Sequence, residues 1–298
     1  MFFNKISKVA VFSTVSILAL LSVFILLTPK DAQAFNQDIW PWDITQNCLT
    51  SEICNIPAGL DPDVGIPDLR ESVPQQIGLQ NDHHKSYLRI SAAIANTGNG
   101  QWQMKAVIPA TITGQQGAEQ QLLHPNGNVA FSEIVSQFQY HPAHKHFHIA
   151  AVSSYQLFRA NGPYDNGPSN NAGVGIGSQK VTFCLIDWIK ISDNSPNTER
   201  AYSSCDGDFQ GVSPGWMDQY HQDLEGQELD VTNLLTGYYF LVLTANPEHH
   251  FIESDFSNNS SWVLLNYIND NNGNPKFEIL NHSDCGQFPG LCEFQPNR

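Results

Sequence analysis

Four histidines, His141, His144, His146 and His148, fall within eight residues, and the last three alternate as His-x-His-x-His. Period-two spacing predicts that those three share one face of a β-strand. Neutral imidazoles gathered on one face form the donor set of a borderline-soft transition metal, and intrinsic affinity favours copper over zinc. Residues four apart on a flat strand are roughly 13 Å from each other, too far for two imidazoles to share an ion, so the strand is expected to bend or bulge. A surface patch of histidines is the competing reading. Phe147 and Ile149 argue against it, because they alternate with the histidines as core residues would. His141 is out of phase and is expected at most to orient a ligand. A second, harder donor set lies at Glu253-Ser254-Asp255-Phe256-Ser257-Asn258-Asn259, where two carboxylates and two amides occupy seven residues. Oxygen donors of this kind suit calcium; the alternative is an Asx-rich turn whose side chains bond the local backbone.

Such groups need a scaffold, and the chain supplies short β-branched or aromatic runs at Leu88–Ala95, Glu133–Gln139, His146–Phe158, Val181–Ile186, Tyr238–Ala245 and Trp262–Tyr267. Gly, Asn and Pro separate them. This spacing predicts an all-β protein, an antiparallel β-sandwich with long irregular loops and disulfide staples. Asn161–Gln179 is Gly/Asn-rich and reads as a long loop, and Thr198–Thr232 is polar, irregular and too long for an idle connection. Long loops often carry function. Residues 35–84, rich in Pro, Asp and Gln, read as an irregular lead-in packed on a core domain of residues 85–268. Residues 269–298 read as a tail pinned by Cys285 and Cys292.

Lys5 and Lys8 precede an apolar run from Val9 to Leu27, and Ala32-Gln33-Ala34 follows as a small-x-small cleavage site. Residues 1–34 therefore read as a signal peptide, and the mature chain as secreted. Retained as an uncleaved anchor, the run would hold the protein at the cell surface; no later stretch is apolar enough to span a membrane. Removing residues 1–34 takes three lysines and one aspartate with it and leaves 11 basic against 28 acidic residues. That balance excludes nucleic acid as a partner and favours cationic ones. Six cysteines in an exported chain read as disulfides. The expected pairing is sequential: Cys48–Cys54, Cys184–Cys205 and Cys285–Cys292. None forms Cys-x-x-Cys, which disfavours a thiolate metal site.

Five segments, HPAHKHFHI, QKVTFCLID, QGVSPGWMDQY, DVT and ESDFSNN, occur in this order between Asp68 and Val263. Together they resemble the catalytic domain of the lysyl oxidase family, over about two-thirds of the chain. The resemblance implies that His144, His146 and His148 ligate copper. It further implies that Lys180 and Tyr220 form a lysine tyrosylquinone, which would tie the Val181–Ile186 strand to the Thr198–Thr232 stretch. Glu253, Asp255, Asn258 and Asn259 look like the family's calcium site, with Asp68 through its carboxylate and Leu69 through its carbonyl. The sequence departs from animal members in having Trp216 and Gly226 where they have cysteines. Ala150-Ala151 also stands where they have an acidic stretch, so no carboxylate follows the histidines closely.

The activity so implied is oxidative deamination of a primary amine by molecular oxygen, giving aldehyde, ammonia and hydrogen peroxide. The amine is a lysine side chain of a protein, a polyamine or a simple alkylamine. A carboxylate must take the α-proton; Asp187 and Asp218 are the candidates, with Asp223 third. Two rival readings are a non-enzymatic extracellular copper-binding or adhesion module on the same sandwich and a zinc hydrolase. The helical His-Glu-x-x-His arrangement of many zinc hydrolases is absent.

Overall fold

Alternating apolar residues along extended runs can bury one face only by pairing into sheets, and the chain does so almost throughout. The computed structural model describes residues 55–168, 175–191 and 199–292. In chain order the strands are β1 (Leu69–Glu71), β2 (Gln75–Asp82), β3 (Lys85–Asn96), β4 (Trp102–Ala106), β5 (Gln116–Leu123), β6 (Val129–His141), β7 (His146–Arg159) and β8 (Gly177–Phe183). They continue with β9 (Ile189–Lys190), β10 (Phe209–Val212), β11 (Trp216–Tyr220), β12 (Glu228–Asp230), β13 (Gly237–Ala245), β14 (Ser260–Asn269) and β15 (Pro275–His282). No α-helix occurs among the described residues, and no helix there is long and apolar enough to cross a membrane.

Every pairing is antiparallel. One sheet runs β1-β3-β11-β9, with β2 and β12 on the other half of the long β3; the second runs β10-β4-β5-β6-β7-β13-β14-β15, with β8 also on β7. The predicted all-β class is therefore observed. One core cluster joins both sheets: Leu88, Ile90 and Ile94 of β3 share it with Trp102, Phe138, Tyr155, Phe183 and Leu241. Each such side chain contributes about 1.5–3 kcal/mol by leaving water.

Three segments expected to be irregular contribute strands. Thr198–Thr232 contains β10, β11 and β12, and β11 lies inside the smaller sheet, opposite both β3 and β9. Its five residues include Asp218 and Gln219, which mask the apolar alternation, yet Trp216, Met217 and Tyr220 are buried. The lead-in supplies β1 and β2, each paired with β3. The tail supplies β15, paired with β14 across a register shift at Leu264/Leu265. The Asn161–Gln179 loop is shorter than expected, since β8 begins at Gly177.

Cys184–Cys205 and Cys285–Cys292 are bonded as expected. Cys48, Cys54 and the N-terminal segment of residues 1–34 lie outside the described residues.

Candidate metal centre

The β6–β7 hairpin carries the histidines. Its last paired residues are His141 and His146, and the turn between them closes with Lys145 N–H donating to His141 O at 2.8 Å. Lys145 has φ +60°, a left-handed conformation that folds the turn back on itself. His146 and His148 stand on β7, but His144 belongs to the turn. The expected arrangement, three imidazoles from one bent strand, is thus replaced by two from the strand and one from the adjoining turn, which removes the 13 Å difficulty. β7 also bulges beyond the ligands, where its register with β8 shifts between Ile149 and Ser153 and Ala151 has φ +54°.

His148 is the hub. It is 1% exposed, and its Nδ1 lies 2.8 Å from Thr182 Oγ1 on β8. That contact leaves Nε2 pointing inward, 3.1 Å from His144 Nδ1, 3.0 Å from His146 Nε2 and 3.2 Å from Tyr220 Oη. One ring nitrogen cannot form three hydrogen bonds at once, since it carries either one proton or one lone pair. A cation resolves the conflict: imidazoles bound at about 2.0–2.1 Å, with right or tetrahedral angles between them, hold their nitrogens about 2.9–3.4 Å apart. The His144–His148 and His146–His148 nitrogen separations both fall in the range that two imidazoles on one transition metal would adopt.

Electrostatics agree. Burial, reinforced by the neighbouring imidazoles, pushes His148 down to about 2 and lowers His144 and His146 below the usual histidine range. All three keep free lone pairs near neutral pH. His141 also joins the group, its ring 4.3 Å from that of His144 and stacked 4.7 Å from that of His148. One ring nitrogen each of His141, His144 and His148 lie within 4.8 Å of one another.

Tyr220 approaches from the other sheet. On β11, opposite Ala92 of β3, it is 6% exposed, and its Oη accepts the Cys184 N–H at 2.7 Å. Its ring lies 4.3 Å from Phe183 and edge-on to His148 at 5.8 Å. Burial, then the nearby Asp218, holds the phenol pKa well above the tyrosine range. The backbone of Lys180 is in β8, opposite Ser154 and two residues before Thr182, while its side chain lies outside the described part. At strand rise, its Cα is about 13 Å along the chain from Cys184.

The three candidate bases differ sharply. Asp187 is fully buried, with Oδ1 accepting from Ser213 N–H and Oδ2 from Ala201 N–H, Tyr202 N–H and the Ser213 hydroxyl, at 2.7–3.1 Å. Four donors occupy both oxygens and make it a loop anchor. Asp218 is 2% exposed, its Oδ2 has no partner among the described residues, and burial lifts it well above the carboxylate range. Asp223 is exposed and faces His221 at 3.3 Å. Sequence reasoning missed Glu225, close enough to His144 to favour its protonated form. It also missed Thr182 and Gln210, for which spacing gave no signal.

The oxygen-rich set also converges. Asn258 Nδ2 lies 3.1–3.2 Å from both Asp68 carboxylate oxygens and from Asp255 Oδ2. Glu253 accepts from Leu69 N–H at 2.9 Å and from the Asn246 and Asn259 amides at 2.6 and 2.7 Å. Leu69 thus meets the set through its N–H. Burial raises Glu253 to about 7. The local-turn alternative is realised in part, since Asp255 accepts the Ser257 N–H at 2.8 Å. It leaves the buried Oδ1 atoms of Asn258 and Asn259 without partners among the described residues, and an oxygen-seeking ion would satisfy both. A third group, Asp61, Asp63 and His124, is a surface cluster whose carboxylate–imidazole contact of 3.1 Å accounts for it.

Comparisons with known proteins follow the same lines. Residues 120–274, just over half of the chain, match the family model described as lysyl oxidase. Lysyl oxidase homolog 2B of Danio rerio is 30% identical over 139 residues, 46% of this chain and 16% of that protein. Protein-lysine 6-oxidase of Gallus gallus is 33% identical over 123 residues, 41% of this chain and 26% of that protein. Lysyl oxidase homolog 1 of Homo sapiens is 32% identical over 131 residues, 44% and 20% respectively. The alignments thus span 16–26% of these relatives' length.

Proposed function

The chain belongs to the lysyl oxidase family, and on that premise we propose that it is a secreted, copper-dependent amine oxidase. Its reaction converts a primary ammonium, dioxygen and water to aldehyde, ammonium and hydrogen peroxide, with lysine side chains of proteins as the favoured substrates. The observation that carries this reading is the phenol oxygen of Tyr220 at 3.2 Å from His148 Nε2, itself 3.0–3.1 Å from two further imidazole nitrogens. A non-enzymatic copper-binding module has no need of a buried phenol facing its ligands.

His144, His146 and His148 would hold the copper, with Thr182 fixing the His148 ring. Copper, once bound, supplies with dioxygen the oxidation that turns the Tyr220 ring into a quinone able to capture Lys180 and later to accept the electrons of the amine. The Cys184 N–H holds the Tyr220 oxygen and so sets which ring edge faces the histidines. Lys180, on β8 and four residues before Cys184, would be the amine that the quinone captures. Asp218, buried close enough to Tyr220 to raise its phenol pKa and with Oδ2 unpartnered among the described residues, is the candidate to take the α-proton in its ionised form. Asp187, saturated by four donors, anchors the loop. Glu225, exposed on the segment just after Tyr220 and close to His144, would set a negative charge beside the histidines that draws in ammonium groups.

Asp68, Glu253, Asp255, Asn258 and Asn259 would hold a structural calcium ion that clasps the start of β1 to the segment before β14, while the Leu69 N–H keeps the Glu253 carboxylate in place. Copper-loaded protein should absorb visible light as a quinone, react with phenylhydrazine and release peroxide from an alkylamine. Tyr220→Phe should lose all three, and turnover by that variant would refute the assignment.

A further inference from the structure

At its ligand end, β7 lacks a strand neighbour on one side among the described residues. β8 pairs with it from Ile149 onward, and β6 covers the opposite edge, with Tyr140 facing Phe147. The outward backbone groups of Phe147, the residue between His146 and His148, therefore need other partners. The N–H donates to Cys205 O at 3.0 Å. The carbonyl accepts from the side chain of Gln210 at 2.8 Å. Gln210, fully buried on β10, sends its second amide hydrogen to Asp206 O at 3.0 Å. Its Oε1 takes the N–H of Leu185 at 3.0 Å, and the preceding amide, Cys184 N–H, is the one that holds the Tyr220 phenol.

We propose that Gln210 is a positioning residue that locks the copper-ligating stretch of β7 to the backbone amide holding the Tyr220 phenol, and so fixes the metal-to-phenol distance. The inference rests on the copper reading above. Only a carboxamide can do this: it needs one acceptor for Leu185 and two donors for the carbonyls of Phe147 and Asp206. A glutamate keeps the acceptor and sets its charge against both carbonyls. A methionine of similar size leaves all three backbone groups unpaired. The rest of β7 is held independently by β13, so loosening should concentrate at the two ends of the lock.

The test compares wild type, Gln210→Met and Gln210→Glu in two measurements. In metal-free protein, amide exchange at Phe147, Cys184 and Leu185 should quicken at least tenfold in Gln210→Met, and at Phe147 alone in Gln210→Glu, with β13 and β14 amides unchanged. With Cu(II) added against a competing chelator, both variants should bind roughly 10–100-fold more weakly than wild type and show an altered electron paramagnetic resonance spectrum. Gln210→Glu serves if Gln210→Met fails to fold. Wild-type affinity and spectrum in a folded variant, with a lowered melting temperature alone, would reduce Gln210 to a packing residue and overturn the proposal. A wild type that binds no copper would defeat the reading of the site, and uniform amide exchange in the variants would independently defeat the lock.

Discussion

Glu71→Gln should stabilise the metal-free protein at high pH and not at low pH. Glu71 lies in β1 against β3, is 3% exposed, and accepts a hydrogen bond from the Ser153 hydroxyl through Oε1, while Oε2 has no partner among the described residues. Burial dominates that one bond and raises its pKa from 4.5 to about 8. The folded state therefore binds this proton more tightly than the unfolded state. Between pH 4.5 and about 8 the unfolded chain carries fewer protons at this site, so stability falls as pH rises, at up to 1.4 kcal/mol per pH unit. The contribution is whole below pH 4.5 and lost above about 8, a swing of roughly 4–5 kcal/mol. Glutamine keeps an acceptor for Ser153 and never ionises. Urea denaturation at pH 5 and pH 9, both in chelator, should give near-equal stabilities at pH 5 and a variant more stable by several kcal/mol at pH 9. A difference independent of pH would refute the reasoning, because a buried neutral carboxyl is what creates the slope.

Three further outcomes are expected. Thr182→Val removes the partner of His148 Nδ1 at 2.8 Å and should weaken Cu(II) binding about 10–100-fold in a competition titration, with unchanged affinity counting against the hub role of His148. Asp187→Ala strands the amides of Ala201, Tyr202 and Ser213 and should cost at least ~3 kcal/mol in urea denaturation; a stable variant lacking only amine turnover would restore it as a base. EGTA should lower the melting temperature of calcium-loaded protein, since an ion present at a hundred times its Kd stabilises by about 2.7 kcal/mol, and an insensitive melt would leave the Asp68–Asn259 cluster as a hydrogen-bonded clasp.

The sequence displays the donor atoms far better than their directions. Histidine spacing was enough to mark the imidazole cluster, yet His144 reaches it from a turn, because the chain reverses at Lys145 in a left-handed conformation that a lysine code does not advertise. Tyr220 was recognisable within QGVSPGWMDQY, but its strand was hidden, since a five-residue segment bearing Asp218 and Gln219 lacks the alternation that exposes longer strands such as β3 and β14. The edge strand β15 and the short β1 were hidden for related reasons: both are mostly polar or brief. Asp187 and Asp218 looked equivalent as letters. Only their partners separate them, one saturated by four donors and the other left with a bare oxygen. Gln210 was invisible because its partners are 25 and 63 residues away.

The most direct test is mass spectrometry of a digest of the copper-loaded, aerobically matured protein. The account predicts a covalent peptide pair joining Lys180 to Tyr220, absent from protein kept metal-free and from Tyr220→Phe. Full copper occupancy at His144, His146 and His148 with both residues recovered unmodified, in separate peptides, would contradict it.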